Sequence, residues 1–157
     1  MNILEAQCVA REEAIVGESP VWSPPEKRLY WCDITGQKIH RFDPSSFKSE
    51  TFGLPEPVTA LALRSPGGLL VSLKKDFALY DLASGQLTYL GDPERDKPTN
   101  RFNDAKCDRQ GRFWAGTMDN VNWNAPSGAL YRLDTDGSIT CHQRDVCCAN
   151  GMGWSPD

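Results

Sequence analysis

Apolar and polar residues alternate along this chain in short runs, and clusters of Gly, Pro, Ser, Asn and Asp separate the runs at close intervals. Residues 18–22 (ESPVW) form a short extended run closed by the turn-rich SPPEK of 23–27. Residues 28–34 (RLYWCDI) read as a strand, 35–37 (TGQ) as a turn, and 38–43 (KIHRFD) as a further strand ended by Pro44. The same grammar recurs at 58–63, 69–73, 77–81 and 87–90, and again at 102–108, 112–117, 128–134 and 138–142. A fourth copy opens at 150–154 (NGMGW) and reaches its turn at 155–157. No segment needs a helix. Residues 4–14 carry Glu5, Glu12 and Glu13, but Val9, Ile15 and Val16 favour extended backbone, so an outer strand is expected there.

The first turn residues of the four copies, Ser23, Ser65, Asp108 and Ser155, are separated by 42, 43 and 47 positions. A period near 40 to 50 residues with four strands per unit is the signature of a β-propeller blade. The third strands agree: IHRFD at 39–43, ALYD at 78–81 and LYRLD at 130–134 each alternate and end in Asp before a turn. An irregular β-sandwich is the competing architecture. The expectation is therefore an all-β, single-domain β-propeller, with blade 1 at about 15–50, blade 2 at about 56–92, blade 3 at about 100–143 and the first strand of a fourth at about 146–157. Propellers typically close with about four to eight blades. Three and a fraction predicts either roughly the first half of a longer protein or a chain that self-associates through open blade faces.

Composition narrows the function. At 157 residues the chain suffices for one domain with a core, and its formal charge of −4 with no basic run argues against nucleic acid as a partner. No apolar stretch is long enough for a membrane span or a signal peptide, so a cytoplasmic location is expected. The six cysteines lack the paired spacings of a zinc site and read as reduced thiols. The adjacent Cys147 and Cys148 fit either opposite strand faces or a strained vicinal disulfide.

Candidate chemistry concentrates in residues 100–119 (NRFNDAKCDRQGRFWAGTMD). If Phe102, Ala105 and Cys107 pack on sheet neighbours, Arg101 and Asn103 face away from Phe102 toward one shared space. A cation beside an amide suits an oxygen-rich ligand, although a plain hairpin with polar ends has the same pattern.

Four motifs, GESPVW at 17–22, LYWCDI at 29–34, RFNDA at 101–105 with GRFWAGTM at 111–118, and NGMGWS at 150–155, make the chain resemble the senescence marker protein/gluconolactonase/regucalcin-like family. The resemblance covers essentially the whole chain and implies a six-bladed propeller of nearly twice this length. It implies that Glu18 and Asn150 are metal ligands, and that Arg101 and Asn103 hold the oxygens of a sugar lactone. It places the general-base aspartate in a later blade, outside this chain.

Spacing supports the grouping. Glu18, Asn103 and Asn150 each precede a first-hairpin turn by 5 residues, which predicts three oxygen ligands at one channel depth. Hard oxygen donors suit calcium, magnesium or manganese, with zinc or iron(II) possible in related enzymes. The equivalent position in the second copy is Ala60, expected to leave room for substrate. Asp104 is expected to cap backbone near its own strand, and the insertion at 119–126, with Trp123, to overhang the channel mouth or to be a mobile loop. His40 and His142 lie on third and fourth strands and receive no catalytic role.

The expected function is metal-dependent, gluconolactonase-like hydrolysis of a sugar-derived lactone, weak or absent in these residues alone because the base is missing. The alternatives are a non-enzymatic calcium-binding regulator of the regucalcin type and a propeller that cleaves phosphotriesters or aryl esters.

Overall fold

The structure is a computed structural model that describes residues 5–65 and 67–156; Leu4 of the expected N-terminal strand, Pro66 of the second hairpin turn and Asp157 of the last turn lie outside the described residues. Among the described residues, twelve strands form three four-stranded antiparallel sheets, each in sequence order. The first holds β1 (Gly17–Ser23), β2 (Arg28–Asp33), β3 (Lys38–Asp43) and β4 (Lys48–Gly53). The second holds β5 (Val58–Leu63), β6 (Leu69–Leu73), β7 (Phe77–Tyr80) and β8 (Leu87–Gly91). The third holds β9 (Asn100–Cys107), β10 (Phe113–Asp119), β11 (Gly128–Leu133) and β12 (Ile139–Val146).

The sheets are blades of a β-propeller whose innermost strands, β1, β5 and β9, lie side by side. Ser19, in the left-handed region at φ 53°, accepts the Leu61 N–H on its hydroxyl at 3.0 Å and so joins β1 to β5. Phe102 N–H donates to Lys74 O at 2.9 Å and joins β9 to the second blade.

Burial follows the distance from that axis. β5 is buried along almost its whole length because its blade has neighbours on both faces, which is why VTALAL reads as a continuous apolar run. The outer strands β4, β8 and β12 are largely exposed. β4 (KSETFG) has one apolar side chain, Phe52, so alternation did not mark it; pairing with β3 forms it. β12 likewise runs past the expected 142, to Val146, on pairing with β11 alone.

Two apolar wedges fill the gaps between blades. The first packs Tyr30, Cys32 and Ile39 against Val58, Leu61 and Val71. Burial there pushes the Cys32 thiol up to about 12, so it is a protonated core group. The second wedge is aromatic: Phe77, fully buried, lies 4.6 Å from the Phe102 ring and 6.0 Å from Phe113, and Phe102 meets Tyr131 edge-on at 6.4 Å. Ala60, Ala62, Ala105 and Ala115 share this wedge, as small residues must where blades converge.

Residues 5–14 form no strand. The chain is clamped just before β1, where Asp33 accepts the N–H groups of Ile15 and Val16, each at 3.0 Å. Burial works against ionisation of Asp33, but these donors and Gly36 N–H outweigh it and hold the carboxyl below the usual range. His40 is buried on β3, stacked on Trp31 at 5.0 Å and bonded through Nδ1 to Thr51, which fits a structural role. All six cysteines are free thiols.

Phe77 is fully buried and meets two other rings across the second wedge. Phe77→Ala is expected to cost about 3–5 kcal/mol in urea unfolding, whereas Trp123→Ala, on an exposed loop, changes stability by about 0.5 kcal/mol or less. A Phe77→Ala loss below about 1 kcal/mol would show that the second wedge does not hold the blades together.

Candidate functional site

All three innermost strands carry a β-bulge in the region that the sequence marks as functional. In β1 it falls between Glu18 and Val21, in β5 between Val58 and Ala60, and in β9 between Phe102 and Ala105, opposite Ala115 to Thr117. A bulge adds one residue to one strand of a pair and re-aims the side chains around it. The offset shared by Glu18, Asn103 and Asn150 therefore does not translate into one shared direction.

Glu18 lies on the regular side of its bulge, paired with Cys32, and its exposed side chain borders a cavity of about 480 Å³. Asn150, Asp104, Leu61, Leu63 and Met152 line the same cavity, so an acid from the first blade and an amide from the segment after β12 share one space. Asn103 sits within the β9 bulge and is not a wall residue. Its Oδ1 accepts from Arg101 Nη1 at 2.9 Å, and its Nδ2 donates to Ala149 O at 2.8 Å. The structure thus brings Glu18 and Asn150 to one cavity and bonds Arg101 to Asn103, and Arg101, like Asn103, is not a wall residue of that cavity.

Ala60 departs from expectation. It is fully buried in the second wedge and opens no gap; Leu61, Ala62 and Leu63 form that side of the cavity. Asp104 does cap backbone, though not of its own strand: its Oδ2 accepts Met152 N–H, 48 residues away, at 3.1 Å.

That contact belongs to a set that docks residues 148–154 beside the third blade. Met118 and Cys148 form an isolated bridge, Asn103 holds Ala149 O, and Trp154 Nε1 donates to Cys107 O at 2.9 Å while its ring lies 5.6 Å from Trp114. Gly116 permits the approach, because a Cβ at that position would overlap the Cβ of Ala149. Beyond the Met118–Cys148 bridge residues 147–156 form no strand, and the docked segment brings Asn150 to the cavity. Asn150 Oδ1 also accepts Gly151 N–H at 3.0 Å, and Gly151 sits at φ 70°.

Arg101 is partly buried, and burial lowers its pKa, offset in part by the neighbouring Cys148 thiol. Its guanidinium stays charged and donates to Phe102 O at 2.8 Å, to Asn103 and to Asn120 Oδ1 at 2.7 Å. Asn120, in the insertion after β10, is a contact that the sequence reading missed; nothing but its position after the Asp119 turn signals it. Trp123 is exposed and does not line the cavity. Cys147 and Cys148 point apart, one toward Asn124 O and the other toward Met118 Sδ.

Among the described residues, no three His, Cys, Asp or Glu side chains gather as a metal site. The oxygen donors at the cavity include the Glu18 and Asp104 carboxylates and the Asn150 amide; Glu18 and Asn150 are hard ligands that fit a divalent cation as part of a larger oxygen set.

Residues 16–157 match the SMP-30/gluconolactonase/LRE-like region. Regucalcin from Xenopus laevis is 39% identical over 163 residues, covering 100% of this chain and 54% of that protein. A 6-deoxy-6-sulfogluconolactonase from Pseudomonas putida is 39% identical over 155 residues, covering 96% of this chain and 52% of its own length. The crystal structure of a calcium-binding protein, regucalcin, from Agrobacterium tumefaciens superposes with a TM-score of 0.82 at 27% identity, over 88% of this chain and 46% of that one. The chain spans about half the length of the curated relatives it matches.

Asp104, with Asn103 and Cys107, ties the segment bearing Asn150 to β9. Asp104→Ala is expected to speed hydrogen exchange at the Met152 amide by about tenfold and to red-shift Trp154 fluorescence, with Asp104→Asn intermediate. Exchange unchanged in the alanine variant would show that the segment is held elsewhere.

Proposed function

The chain belongs to the SMP-30/gluconolactonase/LRE-like family, and from that premise we propose that it supplies the lactone-recognition wall of a metal-dependent sugar-lactone hydrolase. The observation that carries this reading is the adjacency of two pairs, Arg101 with Asn103 on β9 and Glu18 with Asn150 at the cavity that Asp104, the next residue of β9, also lines.

A sugar lactone presents several hydroxyl oxygens and one ester carbonyl, all hydrogen-bond acceptors. Arg101 is assigned to grip these oxygens, with Asn103 bracing its guanidinium, and so to fix the ester carbon relative to attacking water. A charged donor in a partly buried setting is suited to this, because each of its bonds is stronger than a neutral one. Glu18 and Asn150 are the residues that would hold a divalent cation, whether calcium, magnesium, manganese, zinc or iron(II). Such an ion, when bound, would polarise the carbonyl and stabilise the oxyanion. The carboxylate that takes the proton from water is assigned, by family resemblance, to a later blade. The chain alone is therefore expected to bind the sugar and to hydrolyse its lactone weakly or not at all.

A pH-stat assay with D-glucono-1,5-lactone and each of the five metals, paired with calorimetry of D-gluconate binding, tests this reading. Binding should weaken by about tenfold or more in Arg101→Ala and in Asn103→Ala, with little turnover in any variant. Rapid turnover by the unaltered chain would contradict the assignment of the base to a later blade. A preference for aryl esters or phosphotriesters would contradict the substrate class. Calcium binding with no response to lactone or gluconate would favour the regulator.

A further inference from the structure

The insertion between β10 and β11 is folded against the strand that carries Arg101. Asp119 opens it as an Asx turn, accepting the N–H groups of Val121 at 2.7 Å and Asn122 at 2.9 Å, while its second oxygen accepts from Thr99 Oγ1 at 2.9 Å. Asn120 N–H donates to Thr99 O at 3.0 Å, and Asn120 O accepts from Trp123 Nε1 at 3.3 Å. With its backbone fixed on both sides, Asn120 turns its side chain back onto β9. There its Oδ1 accepts Arg101 Nε–H at 2.7 Å.

An arginine has five N–H donors in a rigid plane. In Arg101, Nε is taken by Asn120, and Nη1 donates to Phe102 O and to Asn103 Oδ1. The N–H pair of Nη2 has no acceptor among the described residues. Bonds at Nη1 alone would leave the plane free to pivot about that corner; the bond at Nε removes the pivot. A continuous chain of hydrogen bonds, Asn120 to Arg101 to Asn103 to Ala149, then runs from the insertion to the segment that bears Asn150.

We propose that Asn120 is a positioning residue that sets the plane of the Arg101 guanidinium and presents Nη2 to the oxygens of the sugar. This rests on the lactone reading of Arg101 given above. It makes the insertion a determinant of which sugar is held, since any change that moves the Asn120 acceptor re-aims the donor pair. Asn120 touches no reacting atom; it acts through Arg101.

Chain labelled with ¹⁵N-arginine gives a resonance for Arg101 Nε–H that reports the bond without any ligand, and D-gluconate serves as the stable probe of binding. In Asn120→Ala, exchange of Arg101 Nε–H with water should accelerate by about tenfold and the gluconate Kd should rise by about tenfold. Asn120→Asp, which keeps an oxygen acceptor in place, should restore both, and this rescue separates lost positioning from lost folding. If Asn120→Ala binds gluconate as the unaltered chain does while Arg101→Ala does not, the positioning role is overturned and the lactone reading stands. If Arg101→Ala also binds normally, the lactone reading fails and the role of Asn120 falls with it.

Discussion

The convergence of the innermost strands on one axis is the constraint from which the rest of this structure follows. β1 and β5 are joined through the Ser19 hydroxyl, β5 and β9 share the aromatic and alanine wedge, and residues 148–154 lie beside β9 through Asn103, Asp104 and Cys107. Glu18 and Asn150 are 132 positions apart in the chain yet border one cavity, because Glu18 stands on the innermost strand of the first sheet and Asn150 on the segment docked beside the innermost strand of the third. Burying the wedges supplies the driving force, and the few polar bonds near the axis fix the register of one blade against the next.

Within that frame, local backbone irregularity decides what each polar side chain does. The bulge in β9 takes Asn103 out of simple alternation and gives it to Arg101 and Ala149, whereas Glu18, on the regular side of its own bulge, keeps its outward course. The same residue type at the same offset therefore serves two purposes: Asn150 borders the cavity, and Asn103 braces a cation. Since an unpaired amide is costly to bury, Asn103 in its bulge is held at both ends.

The propeller architecture was legible because its signals are repetitive and local: turn residues at a constant period and apolar alternation between them. β4 was hidden because a solvated outer strand needs little apolar character to pair with β3. The pairing of Arg101 with Asn103 was readable from their spacing on β9, but the direction of Asn103 was not, as a bulge leaves no mark in composition. Ala60 misled for a related reason: a small residue near the axis reads as a gap, yet it is small because the next blade packs against it. Asp104 and Asn120 were opaque because their partners, Met152 and Arg101, are set by tertiary docking and by the fold of an insertion.

On the proposed reading the chain would supply two of the elements that lactone hydrolysis needs, a cationic donor for sugar oxygens and two oxygen ligands at a shared cavity, within about half the length of its curated relatives. The proposal is spatial: a cation held by Glu18 and Asn150 lies within reach of a sugar held by Arg101, which is linked to the segment bearing Asn150 through Asn103 and Ala149. A crystal structure of the chain grown with manganese and D-gluconate tests it most directly. The account predicts an anomalous peak between the Glu18 carboxylate and Asn150 Oδ1, with a gluconate oxygen on Arg101 Nη2. Manganese bound at another face of the blades, or gluconate lying away from Arg101, would contradict it.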